Sequence, residues 1–325
     1  MSERYLSIAR ELQQDIENKV YAVGEPLPGR WDLAKRFHVT RATLDRSIQV
    51  LLQKKLVSTR RGAGTYVRQT EGTYLIGVVA NHLGSLYQAL IPPHFKLEEV
   101  PPDTLAARSD RIKLNRFDGV VWMMPSDREL DWLRETQQHV SQIVVNRELP
   151  GINFVSTDHR RAVYDLTAKR LRQYPEAVPV FLNPASRMHV MARREAGFLD
   201  ACREAGRFYE NVWMPEPFDE KLACLEKQLA PLLPTPLLIV SSVIHHSGSV
   251  AAWVRQHGLT WKKDVLYSDF DNDLPLHIFG VKMTSFIQDY QRMATLALDK
   301  LSHVIRGRES AVALLLPPTC IHGDT

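Results

Sequence analysis

Hydrophobic residues recur at helical spacing through the first fifty positions of the chain, which predicts three helices. The apolar face of the first helix consists of Tyr5, Ile8, Ala9, Leu12 and Ile16. The run VGEPLP at 23–28 ends that helix and turns the chain. A short second helix is marked by Leu33, Ala34 and Phe37, and a third by Leu44, Ile48, Leu51 and Leu52.

The second and third helices are separated by only four residues, FHVT at 37–40, with no glycine or proline between them. Thr40 is predicted to be the N-cap of the third helix, since its hydroxyl can accept from a backbone N–H of the first turn. Arg41, Thr43 and Arg46 lie outside the apolar stripe. The following run LVSTRRGAGTYV predicts a hairpin that turns at Gly62–Gly64. Three helices and a hairpin predict a winged helix-turn-helix, in which the third helix enters a major groove.

From residue 74 the pattern changes to short apolar runs that alternate with helical segments. The runs are YLIGVVA, FDGVVWMM, VSQIVVN, AVPVFLN, PLLIVSS and DVLYSDF. The helical segments are 160–174, 188–206, 218–229, 249–257 and 290–305. Continuous apolar strands separated by helices are typical of a parallel sheet covered on both faces. Two such sets, divided near residue 160, predict two lobes with a cleft between them.

Composition adds a charge asymmetry to this picture. The chain has 325 residues, of which 44% are hydrophobic and 24% charged, as in ordinary globular proteins of two or three domains. Residues 1–70 contain 13 Lys and Arg against 7 Asp and Glu, a net charge of +6, whereas the whole chain has only +4. A basic head on a slightly acidic body favours a polyanionic partner for the head.

Several classes of protein are disfavoured. The N-terminal MSERYLSIAR is polar and helical in pattern, unlike a signal peptide, and no apolar run has the length of a membrane span. Cys202, Cys224 and Cys320 are few and unclustered, so we expect free thiols, a cytoplasmic location and no metal or cofactor. The sequence contains no Walker A, G-x-S-x-G or H-E-x-x-H motif, and we expect no enzyme. His245 and His246 are adjacent, which is poor spacing for metal ligands.

The first seventy residues resemble the GntR family of bacterial transcription regulators. The resemblance is carried by IARELQQDI at 8–16, GEPLPGRWDLAKRFHVTRATL at 24–44 and GAGTYV at 62–67. It implies a DNA-binding domain at 1–70 that acts as a homodimer on double-stranded DNA with a pseudo-palindromic operator. The implied DNA-binding residues are Arg30, Trp31, Thr40, Arg41, Thr43, Arg46, Arg61, Gly62, Gly64 and Thr65. Asp45 departs from the family pattern, which often has Arg there.

Residues 71–325 resemble the LacI-type effector domain, a two-lobed α/β domain with parallel sheets like those of periplasmic binding proteins. The resemblance is carried by IGVVA, FDGVV, VVNRELPGINFVSTDHRRA, RREAGFLDA and SDFDN. A GntR-type head on such a body resembles arabinose-type repressors. The implied effector-binding residues are His82, Ser85, Asn146, Asp158, Arg194, Ser242 and Asp271. An N-cap role for Asp158 has equal weight, and Arg194 and Asp271 have the alternative of pairing with each other.

The resemblance predicts a transcription regulator, a repressor whose operator affinity depends on a small, sugar-like effector. Two departures favour an alternative. The proline-containing segment at 81–105 leaves little room for the family's first helix, and Asp269 stands where the family has glycine. In the alternative, the protein binds DNA and its body only dimerises or binds a protein partner.

Overall fold

The structure is a computed structural model, and it describes residues 4–18, 20–60, 64–68, 74–80, 89, 91–92, 94–186, 188–272, 280–305, 309 and 311–325. By its internal contacts the chain divides into two compact units. The first unit comprises Met1–Val155 and Gln291–Leu314, and the second comprises Ser156–Tyr290 and Leu315–Thr325. The division lies close to residue 160, where the two sets of predicted strands separate. The predicted domain boundary at residue 70 falls outside the described residues.

The N-terminal head contains the three predicted helices and the hairpin. Its elements are α1 (Arg4–Glu17), α2 (Arg30–Arg36), α3 (Arg41–Gln53), β1 (Val57–Arg60) and β2 (Gly64–Val67). The two strands are antiparallel, with Val57 opposite Val67 and Arg60 opposite Gly64. The apolar faces meet in one core that includes Ile8, Leu12, Leu33, Phe37, Leu44, Ile48 and Leu51. The winged helix-turn-helix prediction is confirmed.

The sharp bend before α3 depends on a left-handed backbone at His38. That residue has a φ of +52°, a region that most side chains avoid, and it follows the last turn of α2 directly. The Val39 N–H then donates to the Ala34 carbonyl at 3.0 Å. Thr40 caps α3, and its hydroxyl accepts from the Thr43 N–H at 3.3 Å. The chain therefore reverses in four residues without a glycine.

The hairpin is supported by a segment for which the sequence predicted only a turn. The Leu27 N–H donates to the Thr65 carbonyl at 2.7 Å, and the Val67 N–H donates to the Glu25 carbonyl at 3.0 Å. These bonds pair the outer edge of β2 with residues 24–27. They cover an edge that would otherwise present unpaired backbone groups.

The first large sheet has the strand order β13-β7-β6-β5-β3-β4. Its strands are β3 (Tyr74–Val79), β4 (Phe95–Val100), β5 (Gly119–Met123), β6 (Ser141–Val145), β7 (Phe154–Thr157) and β13 (Ala313–Leu316). The neighbours from β4 through β7 pair in parallel. The accompanying helices are α4 (Arg108–Ile112), α5 (Asp127–Thr136) and α10 (Tyr290–Ile305). Ser126 begins α5 with a capping box formed with Glu129.

The second large sheet has the order β14-β12-β11-β10-β8-β9. Its strands are β8 (Val178–Pro184), β9 (Glu210–Met214), β10 (Leu237–Ser241), β11 (Val265–Phe270), β12 (Ser285–Ile287) and β14 (Thr319–Ile321). All its neighbours pair in parallel except β12 with β14. The accompanying helices are α6 (His159–Gln173), α7 (His189–Glu204), α8 (Phe218–Leu229) and α9 (Ser247–Gln256).

Both faces of the second sheet are covered by apolar clusters. One cluster includes Trp253 and Tyr267, and the other includes Phe181, Phe198 and Phe270. The predicted parallel α/β architecture is therefore confirmed. Short 3₁₀ helices occupy Pro102–Leu105, Lys113–Arg116, Ala230–Leu232 and Ile244–His246. Among the helices that the structure describes, none is long and apolar enough to cross a membrane.

Candidate nucleic-acid interface and effector face

Helix α3 divides its side chains between the core and solvent. Leu44, Ile48 and Leu51 are no more than 1% exposed, whereas Arg41 and Arg46 are exposed. The two arginines lie in the first two turns, near the helix N-terminus, where the backbone dipole adds to their positive potential. This arrangement offers cationic hydrogen-bond donors to an anionic partner such as a duplex.

Trp31 and Asp45 flank these arginines. The Trp31 side chain is 73% exposed, and the Arg41 guanidinium carbon lies 6.0 Å from its ring centroid. The Asp45 carboxylate accepts from Arg30 Nε at 2.9 Å and lies 3.8 Å from Arg41 Nε. Arg30 is therefore held by an acidic neighbour. The Arg41 side chain stays 59% exposed and makes the longer of the two contacts with Asp45, so it is the better placed of the two to bind a partner.

The two threonines of the predicted interface contact each other. The hydroxyls of Thr40 and Thr43 lie 3.0 Å apart, and the Thr40 hydroxyl also accepts the Thr43 N–H. The Thr40 side chain remains exposed while it caps the helix. Its role in the fold is therefore fixed by the structure, and DNA contact remains a prediction for both residues.

The predicted contact residues of the wing have different environments. Gly64 is exposed and has a φ of +107°, which suits glycine at a tight turn. The Thr65 side chain is only 3% exposed, and no partner for its hydroxyl occurs among the described residues. The Thr65 side chain is therefore buried within the head in this conformation, and DNA contact at this residue stays a prediction. Arg61 and Gly62 lie outside the described residues.

In the second unit, Arg194 is the centre of a buried polar cluster at the carboxyl ends of the strands. It is 4% exposed. Its Nη1 donates to the Ser242 carbonyl at 2.6 Å and its Nε to His159 Nδ1 at 3.2 Å. The guanidinium carbon lies 3.6 Å from the Phe270 ring centroid, a close cation–π contact. Burial lowers the pKa of Arg194 to about 10, and the negative charge of Asp271 opposes that shift.

His159 is held in its neutral form by its surroundings. Burial lowers its pKa well below the ordinary value, and the charge of Arg194 lowers it further. The neutral ring accepts the Arg194 Nε–H through Nδ1, which places the ring proton on the other nitrogen. His159 therefore positions the guanidinium and does not compete with it for a negative ligand.

Asp271 is oriented by three hydrogen bonds from a neighbouring segment. Its carboxylate accepts from the Gln288 backbone N–H at 3.2 Å, from Gln288 Nε2 at 2.6 Å and from the Tyr290 hydroxyl at 3.0 Å. The residue has a φ of +61°, a left-handed conformation that ends β11 abruptly. Burial raises the pKa of Tyr290, and the Asp271 charge raises it further, so the phenol remains a donor.

Asp269, which stands where the LacI-type pattern has glycine, is fully buried. One carboxyl oxygen accepts from the Tyr267 hydroxyl at 3.2 Å and from Asn272 Nδ2 at 2.9 Å. Its other oxygen has no hydrogen-bond partner among the described residues. Burial raises the pKa of this carboxyl to about 7, although the hydrogen bonds that it accepts work in the opposite direction.

The remaining predicted effector residues have different environments. Asp158 is the N-cap of α6 and accepts from the Arg161 N–H at 3.0 Å. Ser242 is fully buried, and its hydroxyl donates to the Leu182 carbonyl at 2.9 Å. Asn146, at the end of β6 in the first unit, is 2% exposed and has a φ of +59°. His82 and Ser85 lie outside the described residues.

The sequence analysis missed four members of the cluster, namely His159, Phe270, Gln288 and Tyr290. Their positions follow from chain crossovers that bring α6, β11 and the start of α10 together, and no local pattern shows this. A weak signal existed, because His159 directly follows the predicted cap Asp158 and Phe270 lies inside SDFDN. We name the group formed by His159, Arg194, Ser242, Phe270, Asp271, Gln288 and Tyr290 the effector face.

Comparison with known proteins places the head in a family. Residues 4–67 match the model of a protein family that is described as "Bacterial regulatory proteins, gntR family". The HTH-type transcriptional regulator GmuR of Bacillus subtilis (strain 168) is 36% identical over 67 residues, which cover 21% of this chain and 28% of that protein. The chain spans between a quarter and a half of the length of the first curated relatives that it matches.

Solved structures share the fold of the larger part of the chain. A regulatory protein of the LacI family from Chloroflexus aggregans has a TM-score of 0.62 at 18% identity, covering 76% of this chain and 96% of that one. The transcriptional regulator CelR, in a complex with cellobiose, has a TM-score of 0.59 at 16% identity, covering 88% and 91%. The head of this chain therefore matches the gntR family of bacterial regulatory proteins over residues 4–67, and the body has the fold of LacI-type regulators.

Proposed function

We propose that the protein is a transcription regulator whose head binds a specific duplex through α3. The observation that carries the proposal is the divided surface of that helix, which buries its leucines and exposes Arg41 and Arg46 in a head of the gntR family. Exposed arginines at the start of a recognition helix can read guanine edges and contact phosphates. Arg41, Arg46 and Trp31 are the proposed contacts, together with the exposed hydroxyl of Thr40.

The body is proposed to bind a small polyhydroxylated effector at the effector face. In parallel α/β sheets, ligands bind beyond the carboxyl ends of the strands, where Asp271 and Arg194 lie. A half-buried carboxylate and an oriented guanidinium form strong hydrogen bonds with hydroxyl groups. CelR, which shares the fold, is in a complex with cellobiose, and this supports a carbohydrate as the class of effector.

We further propose that the protein acts as a homodimeric repressor on a pseudo-palindromic operator and has no enzymatic activity. A single helix-turn-helix offers little interface, and dimers gain affinity by binding two half-sites. The regulator family of the head and the regulator fold of the body support the non-enzymatic role.

The test begins with selection of binding sites from a random duplex library by the full chain. We expect an enriched two-fold symmetric sequence that binds about 10³-fold or more tightly than random DNA. A library of sugars and sugar acids is then screened by melting temperature and by operator release. An effector coupled to the head by about 1–3 kcal/mol would change operator affinity about 5- to 150-fold. Failure to enrich any sequence would contradict the proposal for the head.

The second candidate function retains DNA binding and gives the body no ligand. It is favoured by the hydrogen bonds within the effector face. Arg194 and Ser242 are buried there and already bond to other groups of the protein. In that case no sugar changes the melting temperature or the operator affinity, while the enriched DNA sequence is still bound as a dimer.

A further inference from the structure

The second unit contains a cationic cavity that is separate from the effector face. The cavity has a volume of about 140 Å³ and lies between the end of α6 and the segment that follows β14. Its lining includes the cationic side chains of Lys169, Arg170 and Lys262 and the imidazole of His322, and no carboxylate side chain occurs among the described residues that line it. Arg194 and Asp271 are not part of its wall.

Arg170 is the least expected of these residues. It is only 7% exposed. Its Nη2 donates to the main-chain oxygen of Thr325 at 3.2 Å, but within the described part of the chain Nη1 has no hydrogen-bond partner. A buried cation with an unused donor is costly unless an anion or a strong acceptor compensates it. Burial lowers the pKa of Arg170 to about 10, which reflects the cost of holding this charge away from water.

The cations converge from separate elements. Lys169 and Arg170 belong to the last turns of α6, where a basic residue also complements the helix dipole. That dipole does not explain Lys262, which precedes β11, or His322, which follows β14. Lys262 Nζ donates one hydrogen bond to the Gly323 carbonyl at 2.8 Å, and the ammonium has further donors. Arg170 and Lys262 thus hold the segment 323–325, and both keep donors that a further acceptor in the cavity can use.

A second, larger groove adjoins the cavity. Its volume is about 330 Å³, and it shares Leu166, Lys169 and His322 with the cavity wall. Beyond them its lining includes the apolar side chains Phe286 and Pro318. An anion held in the cationic cavity thus has room for an organic body beside it.

We propose that the cationic cavity binds a phosphoryl group, either as inorganic phosphate or as the head of a phosphate monoester whose body lies in the adjoining groove. Lys169 and Lys262 supply charge-assisted hydrogen bonds to its oxygens, the His322 imidazole offers a further N–H donor, and Arg170 Nη1 receives the acceptor that it lacks. The site does not depend on the proposed effector face, so a ligand here would bind the second unit independently of the effector.

The test uses the full chain and isothermal titration calorimetry at constant ionic strength, with inorganic phosphate and glycerol phosphate as probes. The exposed lysines are changed together in Lys169→Gln/Lys262→Gln, which leaves the buried Arg170 in place. The matched control is Arg172→Gln/Lys263→Gln, which removes two exposed cations at neighbouring positions that do not line the cavity. We expect saturable binding to the wild type, a rise in Kd on the order of tenfold in the cavity variant, and no change in the control.

The two probes distinguish the sources of the phosphoryl group. Tighter binding of glycerol phosphate identifies a monoester as the ligand, and tighter binding of phosphate identifies the free ion. Absence of saturable binding to the wild type would overturn the proposal, as would equal weakening in the cavity variant and the control, because the latter reflects only overall charge. Operator binding without phosphate should be unchanged in the cavity variant, so failure of this proposal leaves the proposed function of the head intact.

Discussion

The surface of α3 and the effector face both contain arginine, but the side chain is exposed in the first and buried in the second. On α3 the Arg41 side chain is 59% exposed, with one loose contact to Asp45. In the effector face Arg194 is 4% exposed and is fixed by Ser242, His159 and Phe270. An exposed arginine contributes little to stability and is available to a partner. A buried, hydrogen-bonded arginine contributes mainly to the stability of the fold. It binds a ligand only if that ligand reaches the N–H donors that the protein does not use.

This difference predicts that substitutions in the two regions affect different measurements. Changes on the surface of α3 should alter DNA binding and leave the melting temperature almost unchanged. Changes in the effector face should lower the stability of the second unit, whatever they do to ligand binding.

The largest expected effect comes from Arg194→Ala. It removes the stacking on Phe270 and leaves the Ser242 carbonyl without its donor, so we expect a loss of about 3–5 kcal/mol in stability of the second unit. The measurement is urea unfolding of the full chain, with Arg203→Ala as the control, because Arg203 lies on the same helix with its side chain 76% exposed. If Arg194→Ala unfolds at the same urea concentration as the wild type but no longer binds effector, the Arg194 side chain contacts the ligand and does not support the fold.

The pH dependence of stability should come next, through Asp269. Its folded pKa of about 7 lies above the ordinary value of about 3.9, so the folded state binds the proton more tightly than the unfolded chain. The contribution of the protonated Asp269 carboxyl to stability is therefore fully present at acidic pH and is lost as pH rises through 7. The free energy of unfolding of Asp269→Asn, relative to that of the wild type, should therefore rise by about 2–3 kcal/mol between pH 5 and pH 8.

That prediction is measured as a difference between variant and wild type, because the buried histidines act in the opposite direction. Burial lowers the pKa of His246 to about 3 and that of His159 well below its ordinary value. Their contributions are lost as pH falls below about 6.5. Asp219→Asn, at an exposed carboxylate, is the control and should show no such trend. A flat difference for Asp269→Asn would show that this carboxyl is ionised throughout.

Gly197→Ala tests the packing of the helix that carries Arg194. A Cβ at this position would lie 2.1 Å from the Arg160 carbonyl oxygen, so α6 and α7 must separate to accommodate it. We expect a loss of about 1–3 kcal/mol or more in thermal or urea unfolding. Gly248→Ala is the matched helical control, because the nearest atom to its Cβ is 3.9 Å away. Equal stability of the two variants would contradict the close approach of α6 to α7.

The smallest expected change in stability is in the head. Thr40→Ala removes the cap of α3 and should cost about 1 kcal/mol. Thr40→Ser keeps the accepting oxygen and should restore the stability. If Thr40→Ser loses as much stability as Thr40→Ala, the methyl group of Thr40, and not its capping oxygen, supports the helix.

The head was predictable from sequence because its pattern is local. The core spacing of α3, its cap at Thr40 and the two strands of the hairpin all lie within thirty residues of one another, and α8 and α10 were bounded correctly for the same reason. Strand β9 was missed, since its run ENVWM at the sheet edge alternates exposed and buried residues without a clear apolar run. Strand β4 was missed because FKLEEV is largely charged.

The details of the effector face were not predictable, since they depend on contacts between remote segments. Arg194 was identified through its motif, but its partners lie 35 and 48 residues away in sequence. The burial of Thr65 likewise depends on the pairing of residues 24–27 with β2, which the sequence indicated only as a turn. Sequence pattern identifies which residue types are present, and the fold decides which of them remain free to bind.

The most direct test of the central claim is the ratio of Kd values for random and selected DNA, measured by fluorescence anisotropy for the wild type, Arg41→Ala and the control Arg10→Ala. Arg10 is exposed on α1 and lies outside the predicted set of DNA contacts. If Arg41 reads a base, Arg41→Ala should weaken binding to the selected site by about 1–3 kcal/mol, lower this ratio and leave the melting temperature unchanged. Equal losses on selected and random DNA, or an equal loss in Arg10→Ala, would contradict base recognition by α3.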